Sequence, residues 1–325
     1  MMKFNKKKMF ILMMILSTLM VVCSSKWLSM WMGMEINLMS TIPFIFQNKS
    51  KNSSEKIMTY FLTQVMASIL MLTSILTMNM NLNNMIIKMM LTFSMMIKLG
   101  MPPFHMWMPE MLNKINWITL GIMITLQKIN PLILTSQILE NNLLLPMIMI
   151  VSSSIGSLSG INQLMLNKIM VYSSINHLSW IMMCMMTVNT LWIKYFMVYS
   201  TITLTLCYMF NKIMMFYINQ LNMNLPNFTK LIITMMMLNL GGMPPFPGFF
   251  IKWMTMESVM MLNYMYLTLI IMLFCSMITL LFYMRMSLYL MMLSYSKQKF
   301  NMMTKKMKLY TIMLINLMLP LTILM

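Results

Sequence analysis

Apolar segments, each long enough to cross a lipid bilayer, follow one another along almost the whole of this chain. We count eleven, at residues 8–25, 27–46, 57–80, 85–112, 116–138, 143–161, 165–187, 190–218, 229–251, 257–290 and 307–325. About 20 apolar residues in a helix span the hydrocarbon core. In lipid, backbone N–H and C=O groups must pair within the segment, so runs of this kind become helices. The connectors, such as 47–56, 81–84 and 140–142, are too short to hold a soluble domain. With 60% hydrophobic and 9% charged residues, a soluble fold would have to bury nearly every helix on all sides. The fold class expected is therefore an all-α polytopic membrane protein, one transmembrane domain over 1–325. Its parts are N-terminal helices over 1–80, a first repeat region over 85–215, and a second region over 229–325.

A pentapeptide occurs twice: Gly100-Met101-Pro102-Pro103-Phe104 and Gly242-Met243-Pro244-Pro245-Phe246. Proline lacks the N–H donor and clashes with the preceding turn, and glycine loosens the backbone, so both copies are expected to break a helix. The breaking residues are Gly100, Pro102, Pro103, Gly242, Pro244 and Pro245. The copies fall in the fourth and ninth segments, five apart, and so cross the membrane in opposite directions. That is the pattern of inverted five-helix repeats. In lipid, a broken helix persists only where protein or a watery cavity shields the freed groups.

The net charge of +18 would suggest nucleic acid in a soluble chain, but most lysines lie between apolar segments. One side would carry Lys3, Lys6, Lys7, Lys8, Lys49, Lys51, Lys56, Lys114, Lys168, Lys230, Lys297, Lys299, Lys305, Lys306 and Lys308; the other carries Lys26 and Lys194. The positive-inside rule places the N-terminus in the matrix or cytoplasm and the C-terminus opposite. Lys3 to Lys8 precede an apolar run with no small-residue cleavage site after it, so that run reads as the first spanning helix. Residue usage is skewed: 59 methionines, one alanine (Ala67), one arginine (Arg285) and no aspartate. The scarce types are those with GC-rich codons, which points to an AT-biased, mitochondrial genome. Most methionines then serve as packing residues. Cys23, Cys184, Cys207 and Cys275 are scattered, with no CxxC spacing and no readable metal or disulfide framework.

Ionisable residues inside membrane segments are expensive and functional by default. Four of the five acids, Glu55, Glu110, Glu140 and Glu257, fall in connectors or near helix ends. Glu35 lies about 8 residues into its segment, ~12 Å deep at 1.5 Å per residue. Lys98 precedes the first break, Lys128 lies mid-segment ahead of a kink expected at Pro131, and Lys252 follows the second break. Burial disfavours an ammonium and a nearby carboxylate favours it, so such a row can take up and release protons. His105 and His177 suit proton relay or structural hydrogen bonding equally. Ser173 and Ser174 either support a water chain or cap backbone carbonyls. No Walker motif, GxGxxG or haem or iron–sulfur ligand set occurs. Energy must then come from an ion gradient or from partner subunits.

Several stretches together resemble the subunit 2 family of mitochondrial NADH:ubiquinone oxidoreductase, respiratory complex I. They are WMGMEINL at 31–38, YFLTQ at 60–64, KLGMPPFHMW at 98–107, LQKINP at 126–131, NQ at 162–163, KIMVYSSINH at 168–177 and LGGMPPF at 240–246. The resemblance implies an antiporter-like subunit of about eleven helices in the inner membrane, N-terminus in the matrix and C-terminus in the intermembrane space. It also implies a proton channel in which Glu35 is the entry glutamate, Lys98 its partner, Lys128 the central lysine and Lys252 the exit lysine. It implies no cofactor or metal bound by this chain, with NADH, FMN, iron–sulfur clusters and ubiquinone in partner subunits. Its partners would be other membrane-arm and accessory subunits, lipids, protons and internal water, with no nucleic acid. The chain departs from the family at Ser179, where glycine is usual, at the extra Pro247, and at Ile251 in place of a frequent proline. An Mrp-type cation/proton antiporter subunit and a structural membrane subunit without an active relay remain open readings.

Overall fold

The computed structural model describes residues 2–46, 51–78, 84–138, 144–187, 190–222, 226–262 and 265–292. The described chain is helical almost throughout; apart from a single isolated bridge between Met165 and Tyr217 it contains no strand pairing. The helices are α1 (Met2–Cys23), α2 (Trp27–Ile45), α3 (Lys51–Met78), α4 (Asn84–Leu99), α5 (Trp107–Met111), α6 (Trp117–Ile124) and α7 (Leu126–Ile138). They continue as α8 (Leu144–Ile161), α9 (Leu166–Thr187), α10 (Leu191–Ile213), α11 (Asn227–Gly241), α12 (Pro247–Met260) and α13 (Tyr266–Met292). Among the described residues five stretches are long and apolar enough to cross a membrane. They are Ser54–Met78, Trp117–Ile138 (through α6 and α7), Leu166–Thr187, Leu191–Ile213 and Tyr266–Met291. Leu145–Ile161 and Phe228–Gly241 are shorter apolar helices. The segment expected at 307–325, and Lys297 to Lys308, lie outside the described residues.

Contacts divide the chain into two compact units, Met1–Ile115 with Ile122–Glu140, and Asn116–Gly121 with Asn141–Met325. In the first, α2 packs on α1 and α3, and α4 on α3 and α7. Its core joins Val21, Met30, Met34, Met71, Leu91, Met95 and Leu134. Flexible thioethers fill the space between these helices, in keeping with methionine as a packing residue. The second unit is built around α9, where nearly every residue is buried. Helix α8 lies against α9 and α13 through small residues. A Cβ on Gly156 would stand 2.9 Å from the backbone of Tyr172 and Asn176, and one on Gly160 would stand 3.0 Å from Phe282. Small residues that bring helix backbones together are the usual glue of membrane bundles. Arg285 of α13 donates to the carbonyls of Ile161 (2.8 Å) and Gln163 (3.2 Å), closing the end of α8.

Both pentapeptides stop their helices with the same backbone bonds. Gly100 and Gly242 adopt left-handed φ of 67° and 85°, open without strain to glycine. Gly100 N donates to Ile97 O (3.2 Å) and Met101 N to Met96 O (3.0 Å); Gly242 N donates to Asn239 O (3.1 Å) and Met243 N to Leu238 O (3.2 Å). A turn follows in each, from Phe104 N to Met101 O (2.9 Å) and from Phe246 N to Met243 O (3.0 Å). Pro247 then occupies the first position of α12, where its missing N–H costs nothing, so the extra proline starts the new helix.

Several boundaries differ from the sequence reading. Helix α3 starts at Lys51, inside the connector expected at 47–56, so Glu55 lies in its first turns. The discontinuity near Lys128 falls at Thr125, between α6 and α7, while Pro131 lies inside α7. The carbonyl that Pro131 crowds is that of Gln127, inside α7; the break itself is a tightened turn in which Lys128 N bonds Thr125 O (3.1 Å). The break after the second pentapeptide falls between α12 and α13, so Glu257 is an exposed residue of α12 rather than part of a connector. Helix α1 starts at Met2 and so includes the run from Lys3 to Lys8 that was read as preceding it.

Candidate functional site

In the first unit, Lys98 stands in the last turn of α4, two residues before the glycine stop. Lys128, in the second position after the start of α7, is 2% exposed and among the largest fully enclosed side chains. Both lysines line one cavity together with Asn37, Tyr60, Gln64 and Gln127. About 30 Å³ of it is open to water centres, room for roughly two waters. Its wall is tied by Gln127 Nε2, which donates to Asn37 Oδ1 (3.1 Å), and by the Tyr60 and Thr41 hydroxyls (3.3 Å). Glu35, two residues before Asn37 on α2, is half-buried and acts electrostatically on Lys98. Its Oε1 is enclosed without a hydrogen-bond partner among the described residues. His105 is buried in the first break, beside neither cavity described here.

In the second unit, the Lys252 chain folds back from α12 onto the end of α11. Its Nζ donates to Gly241 O at 2.9 Å, with the ring centroid of Trp180 5.9 Å away. A cation at a helix C-terminus meets the negative end of the helix dipole. Gly242 makes room for it, since a Cβ there would stand 3.0 Å from Nζ. His177 shares a hydrogen bond with the Tyr195 hydroxyl (2.9 Å). A cavity of about 10 Å³, lined by His177, Tyr195, Tyr199 and Asn239, adjoins them. Ser173 and Ser174 donate to the carbonyls of Met170 (2.8 Å) and Val171 (2.7 Å), the capping role weighed above. Among the described residues no group of three His, Cys, Asp or Glu is placed to hold a metal.

Lys98 and Lys128 thus share one cavity in the first unit, with Glu35 acting on Lys98, while in the second unit Lys252 is docked on Gly241 and does not line the His177 cavity. The sequence reading did not single out Asn37, Gln127, Tyr60, Gln64, Tyr195, Tyr199 or Asn239. Neutral polar residues inside apolar segments were the signal available, since burial leaves them in need of partners.

Residues 24–279 match the family described as NADH:quinone oxidoreductase/Mrp antiporter, transmembrane. The chain belongs to this family. The NADH-ubiquinone oxidoreductase chain 2 of Anopheles gambiae is 40% identical over 91% of this chain and 89% of its own length. That of Locusta migratoria is 36% identical over 87% and 84%. A chain of respiratory complex I from Thermus thermophilus superposes with a TM-score of 0.86, covering 98% of this chain and 79% of that one at 16% identity. The family fold is antiporter-like and polytopic, and the paired glycine stops and enclosed lysines described above sit within it.

Proposed function

We propose that this protein is the antiporter-like membrane-arm subunit of mitochondrial NADH:ubiquinone oxidoreductase and carries a proton channel. NADH oxidation and ubiquinone reduction, with their FMN and iron–sulfur clusters, take place in partner subunits, and this chain contributes no redox site. The observation that carries the reading is the pair Lys98 and Lys128 on one water-sized cavity, with Glu35 acting on Lys98. A charge near mid-bilayer costs roughly 2.5–3.5 kcal/mol even on the lenient scale. Moving or neutralising Glu35 therefore changes how readily Lys98 holds its proton. Lys98 passes the proton through water to Lys128, and Lys252 releases it on the far side. The eleven-helix count, the matrix N-terminus and the inverted repeats belong to the same proposal. The shared stop geometry of the two pentapeptides supports the repeats.

Lys98→Met and Lys128→Met are expected to lower NADH-driven proton uptake by sealed vesicles while the complex still assembles. Unchanged pumping in an assembled double variant would falsify the relay. Co-purification with a large NADH-oxidising complex, rather than with an Mrp assembly, distinguishes the two branches of the family.

A further inference from the structure

The inward face of α3 carries Tyr60, Gln64, Ala67, Ser68 and Met71, all buried, while Leu62, Met66 and Ile69 are exposed on the other side. Positions i, i+4, i+7, i+8 and i+11 form one side of a helix. Gln64 is the polar member of this stripe with no structural task. It is 6% exposed and lines the larger cavity together with Lys98 and Lys128. Yet it makes no hydrogen bond to any described residue. A buried carboxamide without partners is expensive, and such groups are nearly always bonded to protein or to ordered water.

The groups around the same cavity are open in the same way. The Lys98 ammonium interacts electrostatically with Glu35 but has no hydrogen bond to a described residue. Gln127 Nε2 and Asn37 Oδ1 are spent on each other (3.1 Å), which leaves Gln127 Oε1 and Asn37 Nδ2 unbonded among the described residues. Glu35 Oε1 and both polar atoms of Asn130 are fully enclosed, whereas the polar atoms of Gln64, Lys98, Asn37 and Gln127 keep surface that water can reach. A carboxamide suits this place. An ammonium offers three donors and no acceptor. Gln64 Oε1 accepts and Nε2–H donates, so one side chain serves a water in either protonation state of the lysine without changing its own charge. A carboxylate would compete with the water for the ammonium.

We infer that Gln64 is a positioning residue of the first cavity, its carboxamide holding the water that stands between Lys98 and Lys128. Asn37 Nδ2–H from α2 and Gln127 Oε1 from α7 steady the water from the other walls. A proton that leaves Lys98 Nζ joins the water oxygen, and the water gives another of its protons to neutral Lys128 Nζ. The water is regenerated and one charge has moved. The water site stands on geometry alone; the proton step rests on the relay proposed above.

The test is a cryo-EM map of the intact membrane complex that resolves waters, paired with NADH-driven proton uptake per assembled complex. A density within about 3.2 Å of a Gln64 amide atom and of Lys98 Nζ is expected, lost in Gln64→Met, which keeps length and bulk but has no amide. Uptake is expected to fall about fivefold in Gln64→Met, the rate equivalent of one net hydrogen bond. Gln64→Asn, which restores an amide and leaves room for water, is expected to recover most of it. A packing defect would give the reverse order, because Gln64→Asn leaves the larger hole. If Gln64→Met fails to assemble, the map of the parent complex decides. A dry cavity, Gln64→Asn weaker than Gln64→Met, or uptake unchanged in Gln64→Met while Lys98→Met and Lys128→Met lower it, overturns the inference. A water in place with uptake indifferent to both lysine variants overturns the relay and leaves the water site standing.

Discussion

Substituting alanine for each stop glycine separates the backbone role of the pentapeptide from the docking of Lys252. Gly100 and Gly242 both have left-handed φ, so either alanine costs about 1–2 kcal/mol from the clash of Cβ with its own backbone. Beyond that the sites differ. At Gly100 the new methyl meets the Trp107 ring at 3.2 Å, a contact that a slight tilt of the indole relieves. At Gly242 it meets Lys252 Nζ at 3.0 Å, with Cδ and Cε close behind. The lysine chain must then shift by a few tenths of an ångström, which weakens a charge-assisted hydrogen bond to Gly241 O that contributes about 1.5–3 kcal/mol when intact. Gly242→Ala is therefore expected to destabilise by more than Gly100→Ala, up to about 5 kcal/mol against about 1–2 kcal/mol. The assay is thermal dissociation of the purified complex, scored as the difference in midpoint between the variants. Equal midpoints would refute the docking of Lys252 on the helix end.

Two further outcomes follow from the same geometry. A double-mutant cycle on Asn37→Leu and Gln127→Leu is expected to show a coupling of about 0.5–1.5 kcal/mol in thermal stability, because the two carboxamides bond each other at 3.1 Å; additive losses would mean that they act separately. Arg285→Lys keeps the charge but loses the fork that reaches both Ile161 and Gln163. Limited proteolysis of the turn at 162–165 is expected to quicken in that variant, and an unchanged rate would show that a point charge suffices.

The two breaks were legible in the sequence because glycine and proline act locally: the residue that stops the helix is the residue one reads. The interruption between α12 and α13 was not legible. Residues 261–265 carry neither glycine nor proline, and Met261, Leu262 and Met265 continue the apolar run. A kink was expected at Pro131, but Pro131 lies inside α7 and the discontinuity falls at Thr125, which no glycine or proline marks. The docking of Lys252 on Gly241 lay beyond reach for another reason. It depends on a fold-back of eleven residues, and the space for it exists only because Gly242 has no side chain. The Asn37–Gln127 bond joins residues 90 apart, a separation at which the identity of a carboxamide says nothing about its partner.

The glycine stop has an electrical consequence. A membrane that stores a proton gradient behaves as a charged capacitor, and a frayed helix end within it would invite a file of water and a short circuit. Here the carbonyls of Met96, Ile97, Leu238 and Asn239 are taken up by backbone N–H groups of the stop itself. Two carbonyls at each helix end are thus already occupied, so each stop offers water fewer open acceptors than a frayed end would.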